Sequence, residues 1–160
     1  MRYLNKIVFI NSAAIRYSEV QLDGNIHLIG TQGVGKSTIL RAILFFYNAD
    51  TQRLGIPVEK KSYQDYYFPY ADSSIIYEVA REDGWFTVLS YKTMNRICYR
   101  FIASPYRPDL FIDEEGAPYP SDRIRSVLDK NGIKYSGAIS TYEEYRNILY
   151  GNSDNKRDYS

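Results

Sequence analysis

"GTQGVGKST" (Gly30–Thr38) is the stretch on which the reading of this chain turns. It satisfies the pattern G-x-x-x-x-G-K-[ST] through Gly30, Gly35, Lys36 and Ser37, with Gly33 as an additional glycine. Glycines in such a loop let consecutive backbone N–H groups turn toward phosphate oxygens with no Cβ in the way. A helix that starts immediately afterwards adds unpaired N–H groups and the positive end of its dipole. The lysine, Lys36, then reaches the β- and γ-phosphates, and the Ser37 hydroxyl ligates Mg²⁺. Thr31, Gln32, Val34 and Thr38 complete the candidate nucleotide-binding stretch. The competing reading is a glycine-rich turn beside a solvated lysine. It requires neither a strand before the loop nor a helix after it, and the sequence predicts both.

Upstream, "KIVFIN" (Lys6–Asn11) is an apolar run of strand length. "EVQLDGN" alternates into a turn at Asp23-Gly24, and "IHLIG" (Ile26–Gly30) reads as a further strand that delivers the loop. Downstream, Ile39, Leu40, Ile43, Leu44 and Tyr47 repeat at helical spacing, which predicts a helix over Lys36–Tyr47. Residues 48–73 carry Gly55, Pro57 and Pro69 and read as irregular. "SIIYEVA" (Ser74–Ala80), "WFTVLSY" (Trp85–Tyr91) and "ICYRFIA" (Ile97–Ala103) are strand-like runs separated by short turns. Connections this short cannot cross over to a parallel partner, so an antiparallel meander is expected. "DLFID" adds a candidate strand before a turn at Glu115-Gly116. Ser121 is a candidate cap for a helix over 122–131 that ends at Gly132. Thr141 and Glu144 form a capping box for a last helix ending near Gly151.

The 160 residues suit one domain able to bury a core. Apolar residues make up 44% and charged residues 24%, and the net charge is +1, so no overall field attracts nucleic acid. Any such partner would need a local patch. The single cysteine, Cys98, has no partner for an internal disulfide and reads as a small buried hydrophobe in a reducing compartment. The apolar helical run is far too short to span a bilayer, and residues 1–20 lack the pattern of a signal peptide. A cytoplasmic chain with no membrane partner is expected. The lone His27 sits on a strand and reads as structural.

Three further motifs compete for a role. "DLFIDEE" (Asp109–Glu115) imitates a Walker B strand, in which Asp113 would orient Mg²⁺ and Glu114 would activate water. Only Leu110, Phe111 and Ile112 precede Asp113, however, and a turn follows at once, so a hairpin is the better reading. Asp113–Gly116 and Asn155–Asp158 fit the D-x-x-G and N-K-x-D motifs of GTPases, yet the second lies in a wholly polar tail rather than at a strand end. The aromatic run Tyr63, Tyr66, Tyr67, Phe68 and Tyr70, beside Lys60 and Lys61, has faces on which bases could stack. Packing against the sheet is expected instead, because no basic residue interleaves with the rings.

The stretch "KIVFINSAAIRYSEVQLDGNIHLIGTQGVGKSTILRAILFFY" resembles the amino-terminal head segment of SMC-like ABC ATPases, the group of SMC proteins, RecF and MukB. Gln32 stands where those proteins usually show Asn, and Val34 replaces a smaller residue. The resemblance implies an α/β P-loop NTPase fold, here the amino-terminal half of an ABC/SMC-type head with an antiparallel β meander and few helices. It divides the single unit 1–160 into strands, Walker A loop and helix (6–47), a β-subdomain (74–120), a helical end (121–151) and a polar tail (152–160). It implies ATP and Mg²⁺ as cofactors, Arg16 as a basic residue near the nucleotide, association with DNA and an ATP-dependent dimer of heads. Neither a signature motif nor a heptad run is present. The expectation is therefore a half-head that binds ATP and hydrolyses it only when completed by a carboxy-terminal half or a partner chain. An ABC-transporter subunit, with Tyr3 as the adenine-stacking aromatic, is the alternative of another class, and a GTPase is the third.

Overall fold

A computed structural model describes residues 2–22, 28–29, 35–48, 63–94 and 96–150. Strands β1 (Arg2–Ser12), β2 (Ile15–Leu22), β3 (Leu28–Ile29), β4 (Ser74–Arg81), β5 (Gly84–Thr93) and β6 (Arg96–Ile102) form one six-stranded sheet. Its order is β3-β2-β1-β4-β5-β6, and every neighbouring pair is antiparallel. Helices α1 (Lys36–Asn48), α2 (Tyr63–Tyr67), α3 (Ser121–Lys130) and α4 (Tyr142–Leu149) accompany it.

The expected meander forms as β4-β5-β6, but it is not a separate subdomain. β4 pairs with β1 from Arg2↔Arg81 to Ile10↔Ser74, which joins the meander to the amino-terminal strands. The cause lies in the side chains. Ile7, Phe9, Ile75 and Tyr77 are buried on one face, while Val8, Ile10 and Ile76 are buried on the other. Strands apolar on both faces belong in the middle of a covered sheet. The register shifts between Leu4 and Lys6, so Asn5 is an extra residue that lets Leu4 and Ile7 enter the same apolar cluster.

β1 runs through Asn11 into a hairpin that the sequence did not announce. Ser12 pairs with Ile15, leaving Ala13 and Ala14 as a two-residue turn with φ of 50° and 64°. Such turns need positive φ at both centres, which Asn-Gly usually supplies. Alanine in this region costs about 1–2 kcal/mol per residue, and Asn11 adds a third positive φ of 46°. A hydroxyl from Ser73 to the Asn11 carbonyl helps hold this tip.

α1 and α4 cover the first face. Ile39, Ala42, Phe45 and Phe46 of α1 and Tyr145 and Leu149 of α4 share a cluster with Phe9, Tyr77, Val88 and Phe101. Ile124 and Leu128 of α3 cover the second face with Val8, Ile76 and Leu89. The outer edge of β6 is closed by an extended segment, through bonds between Tyr99 and Ile139 (2.8 and 2.9 Å) and from Ser136 to Phe101 (2.8 Å). The buried Arg100 ties down that segment by donating to the Ser136 carbonyl at 2.7 Å.

Other expectations fare unevenly. "DLFID" is not a strand: Pro108–Leu110 is a 3-10 turn, and Ile112 makes an isolated bridge to Pro118. Ser121 is the first residue of α3, and the cap position is Pro120, which has no side chain to donate or accept. The stop at Gly132 holds. Gly132 takes φ 68°, and the N–H groups of Gly132 and Ile133 bond back to Asp129 and Leu128 at 3.1 and 3.0 Å. Thr141 caps α4 as expected, its hydroxyl accepting from the Glu144 N–H at 3.2 Å. Among the described residues no helix is long and apolar enough to cross a membrane.

Candidate phosphate-binding site

Gly35, Lys36, Ser37 and Thr38 are the part of the phosphate motif that the structure describes. Gly30, Thr31, Gln32, Gly33 and Val34 lie outside the described residues, as do His27, the Asp23-Gly24 turn, Lys60, Lys61 and Asn155–Asp158. α1 begins at Lys36, and its first backbone bond runs from the Ile39 N–H to the Gly35 carbonyl at 3.2 Å. The helix start therefore coincides with the Gly-Lys-Ser of the motif. N–H groups of a first turn have no acceptor within their helix, and no acidic side chain in this first turn offsets their charge. Lys36 and Ser37 are exposed. A Cβ built at Gly35 would meet nothing within 4 Å among the described residues. Backbone donors, a cation and a hydroxyl with no competing carboxylate in the turn form a donor set that suits a magnesium triphosphate.

α1 is held from behind by tyrosine hydroxyls. Tyr67 donates to the Thr38 carbonyl at 3.2 Å, Tyr77 to that of Ala42 at 2.9 Å, and Tyr145 to that of Phe46. The acceptors are four residues apart, so the bonds fall along one side of the helix. Tyr150 adds a bond to the Tyr47 carbonyl at 3.0 Å. Burial pushes the Tyr67 hydroxyl up to about 12, and that of Tyr145 well above its ordinary range, so both remain neutral donors. This arrangement gives four of the 17 tyrosines a structural role.

The aromatic run divides in two. Tyr67 and Phe68 are fully buried, as expected of sheet packing, whereas Tyr66 and Tyr70 are 37% and 64% exposed. Those two rings line a cavity of about 400 Å³ together with Asn11, Ala14, Arg16 and Asp65. Arg16 is exposed on β2, just beyond the strained hairpin. Tyr66 and Tyr70 thus depart from the sheet packing expected of the whole run. A tight hairpin at Ala13-Ala14 carries no Gly or Asn to announce it, so nothing signalled that Arg16 would meet them.

Among the described residues, no hydrogen bond or ion pair joins Asp113 or Glu114 to residues 35–38. Leu110 and Phe111, just before them, belong to the cluster on the second face, opposite α1. Asp113 Oδ1 accepts from the N–H groups of Glu115 (2.8 Å) and Ala117 (2.9 Å), and its carbonyl accepts from the Gly116 N–H (3.0 Å). The carboxylate thus organises its own turn, with Gly116 at φ 86°. That local turn agrees with the hairpin preferred over a Walker B strand for this segment. Cys98 is buried, and burial raises its thiol, in keeping with the small hydrophobe expected.

A family described as Protein of unknown function (DUF3584) matches residues 11–157. The chain belongs to that family. No curated protein and no solved structure matches it. The match spans the strained hairpin turn, the phosphate motif and the whole meander, and leaves most of β1 outside it.

Proposed function

We propose that this DUF3584 chain is the ATP-binding portion of an SMC-like, DNA-associated P-loop ATPase. The observation that carries the reading is the complete G-x-x-x-x-G-K-S motif with its Gly-Lys-Ser at the start of α1. Lys36 and Ser37 would hold the triphosphate and its Mg²⁺, which supplies charge neutralisation to the phosphates when bound. DNA association and ATP-dependent dimerisation of heads rest on the sequence resemblance alone. Completion by a carboxy-terminal half rests on the resemblance too, and an apolar row on α1 is compatible with it. On the side of α1 away from the sheet, Leu40, Leu44 and Tyr47 are 45%, 46% and 38% exposed in one helical row. Asp113, the first candidate for orienting the Mg²⁺ shell, is engaged in its own turn by two backbone N–H groups.

The test is calorimetric titration of the chain with Mg²⁺-ATP. Lys36 makes charge-assisted contacts worth about 1.5–3 kcal/mol each, so Lys36→Ala should weaken binding about tenfold or more. Unchanged affinity would remove the phosphate-loop reading. A phosphate-release assay on the same chain should show no turnover above the Lys36→Ala background. Turnover abolished by Glu114→Gln would instead restore the Walker B assignment. A strong preference for GTP that disappears in Asp158→Ala would replace the ATPase by a GTPase.

A further inference from the structure

We infer that the cavity between the β1–β2 hairpin and α2 is a nucleobase subsite, with Tyr66 and Tyr70 as its stacking platform. The inference rests on the phosphate-loop reading and extends it to the far end of the ligand. Four observations converge on it. The cavity, about 400 Å³, lies in the range of small-molecule sites. Its wall carries two tyrosine rings that stay exposed while their neighbours Tyr67 and Phe68 are fully buried. Tyr66 is fixed relative to the phosphate motif: its ring meets that of Tyr67 edge-on at 4.9 Å, and the Tyr67 hydroxyl bonds to the Thr38 carbonyl in the first turn of α1. The opposite wall is the hairpin whose Asn11 and Ala14 take positive φ, a cost of folding that places Arg16 in the same cavity. Ligand chemistry follows from the wall. Exposed aromatic faces favour a flat π-system, and a guanidinium beside them suits the phosphate or ribose end of a nucleotide. Stacking recognises the face that every base has, so the subsite should accept purines without strong discrimination between them.

The test separates base from phosphate by using two probes, Mg²⁺-ATP and inorganic tripolyphosphate, titrated calorimetrically into the 160-residue chain. Tyr66→Ala and Tyr70→Ala should each weaken ATP binding about tenfold and leave tripolyphosphate binding unchanged, since base stacking is a substantial term that inorganic phosphate lacks. Tyr66→Phe and Tyr70→Phe keep the ring and should bind ATP like the parent chain, which distinguishes stacking from damage to the fold. ATP affinity unchanged in the Tyr66→Ala/Tyr70→Ala double variant, with Lys36→Ala still impaired, would overturn the subsite and leave the phosphate loop standing. A parent chain that binds neither probe would overturn both.

Discussion

Asp113 shows how a residue with a catalytic look can be consumed by local geometry. Oδ1 of Asp113 accepts two backbone N–H groups within four residues, which fixes the carboxylate in its own turn. Removing it should therefore disturb the turn and nothing at the phosphate motif. Asp113→Ala is expected to lower stability by about 1–2 kcal/mol, as loss of an exposed Asx-type cap does, and to leave Mg²⁺-ATP affinity at the parent value. Urea denaturation and calorimetry on the same preparation check both halves. A loss of ATP affinity without loss of stability would return this residue to the metal. Lys36 is the contrasting case. It is exposed, it opens a helix with no acid in its first turn, and no described carboxylate forms an ion pair with it.

At the scale of the element, α1 is anchored by hydroxyls whose deletion should not have equal effects. The Ala42 carbonyl lies inside the helix, where it also accepts an intrahelical bond, so Tyr77→Phe leaves it satisfied. The expected cost is about 0.5–1.5 kcal/mol, the net value of one hydrogen bond. The Phe46 carbonyl lies in the last described turn of α1, and among the described residues its donor is the Tyr145 hydroxyl. Phe46 is buried, so Tyr145→Phe removes this donor from a buried carbonyl, and a cost of about 1–3 kcal/mol is expected. Chemical denaturation of the two variants should show Tyr145→Phe as the less stable. The reverse order would mean that the end of α1 finds another donor. For the candidate site the consequence is positional: the row of tyrosines holds the helix that presents Lys36 and Ser37.

The same tyrosines govern the whole molecule at alkaline pH. Burial raises Tyr67 from 10.0 to about 12 and lifts Tyr99, Tyr106 and Tyr145 further. A protonated tyrosine is neutral, so the folded chain keeps protons that the unfolded chain releases. The unfolded state then binds fewer protons, and stability falls as pH rises. Their contribution is complete below pH 10, the unfolded value, and is lost from about pH 10 through about pH 12 for Tyr67. Each fully buried tyrosine adds a slope of about 1.4 kcal/mol per pH unit in that window. Urea midpoints should be level between about pH 7 and pH 9 and drop steeply above pH 10. A flat profile to pH 12 would show that these hydroxyls ionise freely in the folded state.

Local signals in the sequence located most elements, because they depend on neighbours along the chain. The spacing of Ile39, Ile43 and Tyr47 predicted α1, the short turns predicted the β4-β5-β6 meander, and Thr141 and Gly132 marked helix ends by the bonds that caps require. The Gly-Lys-Ser of the phosphate motif was legible for the same reason, since a loop-to-helix junction is written in consecutive residues. Tertiary structure decided what depends on partners distant in sequence. Ala13-Ala14 turns with no glycine because the pairing of β1 with β2 and the buried surroundings of Ser12 and Ala13 outweigh the backbone cost. β4 joins β1 because both strands must bury two apolar faces, which no local pattern could assign to one particular neighbour. Leu110 and Phe111, which lead to Asp113, pack on the face opposite α1, although an apolar run followed by acids looks the same on either face. Arg16 meets Tyr66 and Tyr70 only because the hairpin tip and α2 close on one cavity. Spacing along the chain cannot encode that meeting, since it is made by the sheet that brings β2 beside the segment leading into β4.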